Sequence, residues 1–189
     1  RGPNLGGRRI VIKKATRVTF TNATTINAQL IGTSTTAGDT NLKVLPFAIG
    51  ENSATGVGNT FLTVDSTVGN NLRTLTDGEY ESDYSAAASD ANLSLNTTAA
   101  ALATKMINAL RINSSAGAVD LTGDVGSTLT ITSGGLLVSA GVTDNDVIIS
   151  GYDAIRAGTA AAGSDELIVH VTSAHATPSG ATLTIQSPI

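Results

Sequence analysis

A chain of 189 residues with 41% hydrophobic content can build one packed domain, or one domain and an arm, and is too apolar for a disordered tail. It contains no Cys, which excludes disulfides, thiolate metal sites and cysteine nucleophiles, and its 3% aromatic and 14% charged residues are a poor supply for a deep catalytic pocket. Net charge is −4, but Arg1, Arg8, Arg9, Lys13, Lys14 and Arg17 all precede the first acidic residue, Asp39, so residues 1–38 carry +6 and the remainder −10.

Residues 1–8, with three Gly and one Pro, read as an extended arm without a core of its own. The chain starts at Arg1 and not at Met, as a processed N-terminus or a trimmed chain would. No secretory signal stands out, and no apolar stretch of about 18 residues, so a membrane span is not expected. From Arg9 to Phe20 apolar and polar residues alternate with strand periodicity (Ile10, Ile12, Val18, Phe20). Further strand candidates are Thr25–Ile31, Asn41–Ile49 and Thr60–Val64, separated by turn-rich spacers. In 77–84 an Asp-Gly turn signal opens a strand with Tyr80 and Tyr84 on one face and a solvated face of Glu79, Glu81 and Asp83.

Residues 97–112 are rich in good helix formers, with Leu102, Met106 and Leu110 recurring every four residues and Asn96 or Thr97 available as a cap, so an amphipathic helix lying on a sheet is expected there. Alternation then returns at Val119–Leu121, Thr128–Ile131, Leu136–Val138, Val147–Ile149, Leu167–Val171 and Leu183–Ile185. Short strands at this spacing predict a mainly β (α+β) fold, a β-sandwich or barrel-like body. No strict repeat of 20–50 residues recurs, which counts against a solenoid. The expected division is a basic extended arm and first strand at 1–20, then a single β-rich domain over 21–189.

The stretch 77–135 carries Asp77-Gly78-Glu79-Tyr80, Thr98-Ala99-Ala100-Ala101-Leu102-Ala103, Met106-Ile107-Asn108 and Leu129-Thr130-Ile131-Thr132. This series resembles a module of tailed-phage virion structural proteins, found in capsid decoration (cement), tail and fibre proteins. It covers about a third of the chain. The resemblance implies a structural role in a virion and carries over no functional residues.

Candidate chemistry is sparse. His170 lies in an apolar strand and His175 in a loop; a pair at this spacing binds a metal only with help from carboxylates. No Gly-x-Ser-x-Gly elbow is present. Asp144 and Asp146 are the weak calcium candidates, in an ordinary turn without EF-hand spacing. The Gly-rich segments Gly32–Gly38 and Gly56-Val57-Gly58 lack the ending of a phosphate loop and read as turns. The basic arm (Arg1, Arg8, Arg9, Lys13, Lys14, Arg17) suits docking onto an acidic protein surface better than nucleic acid, because its one stacking aromatic is Phe20 and the body would repel phosphate. These readings predict a non-enzymatic protein without cofactor. Its expected partners are other copies of itself and a major capsid or other virion protein, with no membrane or nucleic acid. The expected role is a capsid decoration protein of a virion. The alternatives are a tail-tube or fibre subunit, or an extracellular surface-layer or filament subunit assembling by strand exchange.

Overall fold

The computed structural model describes residues 10–13, 18–19, 23–52, 58–65, 71–114, 117–140, 146–158, 166–173 and 182–189. The described residues build two β structures. The first is a small sheet in the order β1 (Ile10–Lys13), β2 (Leu45–Glu51), β3 (Thr60–Asp65), β4 (Asn71–Thr74), with β1 parallel to β2 and the other pairs antiparallel. β1 and residues 18–19 are the described parts of the 1–20 segment; Arg1, Arg8, Arg9, Lys14 and Arg17 lie outside the described residues.

The second is a stack of parallel coils. Strands β5 (Asn92–Leu95), β8 (Ala109–Asn113), β11 (Gly135–Ala140) and β14 (Ile168–Ser173) form one sheet. Strands β6 (Ala99–Leu102), β9 (Val119–Gly123), β12 (Val147–Ser150) and β15 (Leu183–Ile185) form a second. Strands β7 (Lys105–Ile107), β10 (Thr128–Ile131) and β13 (Ala154–Ala157) form a third. Every ladder in these three sheets is parallel, and the chain visits the sheets in turn. This is a three-sided parallel β-solenoid. Inward-facing residues stack in columns: Leu93, Leu110, Leu136 and Val169 on the first side, Val119, Val147 and Leu183 on the second, Leu129 and Ile155 on the third.

The mainly β class holds, but the sandwich or barrel with a helix over 97–112 does not. Those residues form β6, β7 and β8, with Ala101 at a φ of 54° inside β6, where the register against β9 shifts. The helical stripe read from Leu102, Met106 and Leu110 is broken in the structure, because Leu102 and Leu110 are buried while Met106 faces outward, 39% exposed. An isolated helix of this length is marginal in water, and the columns offer Leu110 and Ile112 full burial in strand period. Tertiary packing outweighs the Ala-rich propensity. The solenoid escaped detection for a geometric reason. Equivalent residues are 17 apart from Leu93 to Leu110, 26 from Leu110 to Leu136 and 33 from Leu136 to Val169, since turns lengthen while the ladders keep register. Two other expectations also fail. Thr25–Ile31 is not a strand, since helix α1 spans Ala23–Asn27, and 77–84 opens with a 3-10 turn at Asp77–Glu79.

The small sheet packs sideways on the solenoid. One of its faces meets α1 through Ile26, Leu45, Leu62 and Leu72. The other, with Ile49 and Phe61, covers Ala109 and Leu137 on the outer surface of β8 and β11. Gly135 makes this contact possible: a Cβ there would come within 3.1 Å of the Phe61 ring.

Gly134, in the turn between β10 and β11, hydrogen-bonds to the start of the last coil. Its φ is 73°, its carbonyl accepts from the Ile168 N–H at 2.8 Å, and a Cβ would fall 2.1 Å from the Glu166 carbonyl oxygen. Gly134→Ala is therefore expected to cost at least about 2 kcal/mol, from backbone clash plus left-handed strain. Hydrogen exchange should show the loss concentrated in 166–173; an unchanged urea midpoint and unchanged protection there would refute it.

Candidate functional site

The buried polar groups gather where the small sheet, the 77–91 segment and the solenoid meet. Arg111 lies on the outer side of β8 and is 7% exposed. Its Nε donates to Ser94 Oγ at 2.7 Å, its Nη2 to Asp77 Oδ1 at 2.8 Å, and its guanidinium stacks 4.1 Å from the Tyr80 ring centre. The Tyr80 hydroxyl in turn shares a hydrogen bond with Thr60 Oγ1 and accepts from the Phe61 N–H. Burial pushes the Tyr80 hydroxyl pKa up, so it stays neutral. One cation thus fastens β3 and the 3-10 turn to the solenoid wall.

A second junction is the pair Arg73–Glu79, with Nη2–Oε1 at 2.6 Å and Nη1–Oε2 at 2.8 Å. Glu79 was expected on a solvated face, yet it is 2% exposed. It also accepts from the Gly38 and Thr76 N–H groups. Burial acts to raise its pKa, but the hydrogen bond and charge of Arg73 and the two amides outweigh it and hold the carboxyl at about 2.

The third cluster is an amide ladder at a corner of the solenoid. Asn92 and Asn108 are both fully buried. Asn108 Nδ2 donates to Asn92 Oδ1 at 2.8 Å and to the Ile31 carbonyl at 3.0 Å, and Asn92 Nδ2 donates to the Leu42 carbonyl at 2.9 Å. Ser133 continues the corner by donating to the Asn108 carbonyl at 2.6 Å. These bonds tie the 31–44 loop to the first two coils. Tyr84 and Tyr152 meet inside the solenoid, where burial raises both hydroxyl pKa values and Tyr84 donates to the Ala103 carbonyl.

The residues singled out in the sequence do not converge. His170 is buried in β14, with Nε2 at 2.9 Å from the Pro46 carbonyl and its ring edge-on to Phe61. His175 and Asp144 lie outside the described residues, and Asp146 is exposed, its carbonyl accepting from the Val119 N–H. Gly32 is a turn glycine at φ 142° pressed against Lys43. Among the described residues, no group of three or more His, Asp and Glu side chains is placed to share a metal ion. A cavity of about 200 Å³ beside α1, lined by Asn27, Leu30, Thr35, Lys43, Thr63 and Val64, is smaller than most ligand sites. Sequence reading missed Arg111, Asn92 and Asn108; the available signal was a polar residue at the entry to an apolar strand, as in Asn92-Leu93 and Asn108-Ala109-Leu110.

Fold and site together define a parallel β-solenoid with a laterally docked sheet, whose buried polar groups join its parts. No protein-family model, curated protein or solved structure matches the chain.

Proposed function

We propose that the chain is a non-enzymatic structural subunit of a virion-type assembly, acting as a rigid body that docks on other subunits. The Arg111 junction carries this reading, because its charge is satisfied by Asp77, Ser94 and Tyr80 within the chain and braces one part of the fold against another. The division of charge, +6 in residues 1–38 against −10 beyond, supports docking of the basic arm (Arg1, Arg8, Arg9, Lys13, Lys14, Arg17) on the acidic body of a neighbour. Capsid decoration, with the major capsid protein as partner, is the primary role. The solenoid favours a tail-fibre role beside it, since stacked coils build elongated bodies.

Negative-stain microscopy of particles from the native source, labelled with an antibody against the chain, tests the proposal. Label on icosahedral shells supports decoration, and label on tails supports the fibre role. Label confined to cells, or to material without particles, overturns both.

A further inference from the structure

The polar groups at the three junctions are paired, but one set of polar side chains is not. It lines the cavity of about 200 Å³ beside α1, whose walls are Asn27, Leu30, Thr35, Lys43, Thr63 and Val64. Among the described residues, none makes a hydrogen bond or ion pair with the side chains of Asn27, Thr35, Lys43 or Thr63. Two of these four are withdrawn from solvent: Thr63 on β3 is 1% exposed, and Lys43 is half-buried. A buried hydroxyl without a partner is uncommon in a folded protein and calls for an explanation. The walls are also held from behind. The Lys43 N–H donates to the Ser34 carbonyl at 2.8 Å, and Val44 exchanges two backbone bonds of 2.9 Å with Ile31. A Cβ on Gly32 would fall 2.8 Å from the Lys43 Cα, so the two backbones are in close contact. On the opposite wall, α1 is anchored by Ile26, which is 6% exposed and packs with Leu45 and Leu62.

We propose that this cavity binds a small monocarboxylate with a short alkyl tail. An ammonium has only donors, so the group that meets Lys43 must supply acceptors, and an anionic acceptor gives the stronger bond. The Thr35 and Thr63 hydroxyls and the Asn27 amide can each donate to the same carboxylate. Leu30 and Val64 add apolar wall, which rewards a hydrocarbon tail and gives nothing to inorganic phosphate. Size sets the rest. A cavity of about 150 Å³ takes a six-carbon ring, so this one admits an acid of about four or five carbons and excludes a nucleotide. Neighbouring carboxylates do not compete for the ammonium. Asp39 accepts from Ser34 Oγ, and Glu79 is held by Arg73 and the Gly38 N–H. The site goes beyond the virion reading and does not depend on it, because the chain alone binds the acid or fails to.

Titration of the purified 189-residue chain with sodium butyrate, followed by amide NMR shifts, tests the site. The shifts should saturate with a Kd on the order of 1 mM and centre on residues 26–35, 43 and 63–64. n-Butanol keeps the tail without the charge, and inorganic phosphate keeps the charge without the tail. Each should bind at least about tenfold more weakly than butyrate. Lys43→Met keeps the stem and removes the charge, and should weaken butyrate at least about tenfold. Thr63→Val keeps the volume and should weaken it about threefold or more. The urea midpoint of Thr63→Val should stay level or rise, because the hydroxyl has no partner to lose in the free protein. A lowered midpoint would reveal a partner for Thr63 and overturn the proposal. So would shifts that never saturate, equal shifts around Lys105 and Arg156, butanol or phosphate binding as tightly as butyrate, or full affinity in Lys43→Met.

Discussion

Asn108→Asp, an exchange of one amide nitrogen for oxygen, is expected to destabilise the protein by roughly 3–5 kcal/mol at neutral pH, the cost of an uncompensated buried charge. The native Nδ2 faces three acceptors: Asn92 Oδ1 at 2.8 Å, the Ile31 carbonyl at 3.0 Å and the Leu42 carbonyl at 3.4 Å. A carboxylate there turns each attraction into repulsion, with no water to screen it, since Asn108 and Asn92 are fully buried. The orientation of the amide follows from Thr132 Oγ1, which donates to Asn108 Oδ1 on the opposite side. Asn108→Ala should cost less, about 3 kcal/mol, from one orphaned buried acceptor on Asn92 plus a small cavity. The order of the two variants separates hydrogen bonding from packing. Urea midpoints at pH 7 measure it, and an Asp variant as stable as the Ala variant would defeat the account. Lowering the pH should recover part of the Asp loss, because protonation removes the charge.

The parts of the fold that were legible are those in which local pattern and tertiary environment agree. Thr128–Ile131 and Leu183–Ile185 fall on β10 and β15 with the bounds their alternation gives. The 97–112 segment failed because two patterns overlap in it. Leu102, Met106 and Leu110 satisfy a helical period, whereas Leu110-Arg111-Ile112 satisfies a strand period, and only the neighbouring coils decide between them. Glu79 was misplaced for a similar reason. Its alternation with Tyr80 suggested a solvated face, but its partner Arg73 belongs to β4, and no local pattern announces a pairing made by folding. The small residues that looked like generic turn material have specific duties at Gly134, where a Cβ would strike the Glu166 carbonyl, and at Gly135, where it would crowd the Phe61 ring.

Acid should loosen the junction between the 3-10 turn and β4 before the solenoid columns give way. The Glu79 carboxyl titrates at about 2 in the folded protein, against 4.5 for the ordinary group. A carboxyl depressed by folding stabilises the native state above its unfolded pKa, and that contribution drains away as pH falls through the folded value. The window therefore runs from about pH 5 down to about pH 2, and the free energy at stake is on the order of 2–3 kcal/mol. Glu79→Gln should lose this amount at pH 7, because it cannot accept from Arg73, Gly38 and Thr76 with a full charge. The decisive quantity is the difference between wild type and variant across pH. It should be constant from pH 7 to 5 and shrink toward zero near pH 2, while Asp83 and Asp90, whose carboxyls are also held low by neighbouring hydroxyls, contribute equally to both proteins. Arg73→Met should flatten the same slope, and the double variant should be no worse than the sum of one broken pair. A difference that stays constant down to pH 2 would mean that Glu79 acts through packing alone, and that the ion pair does not fasten the turn.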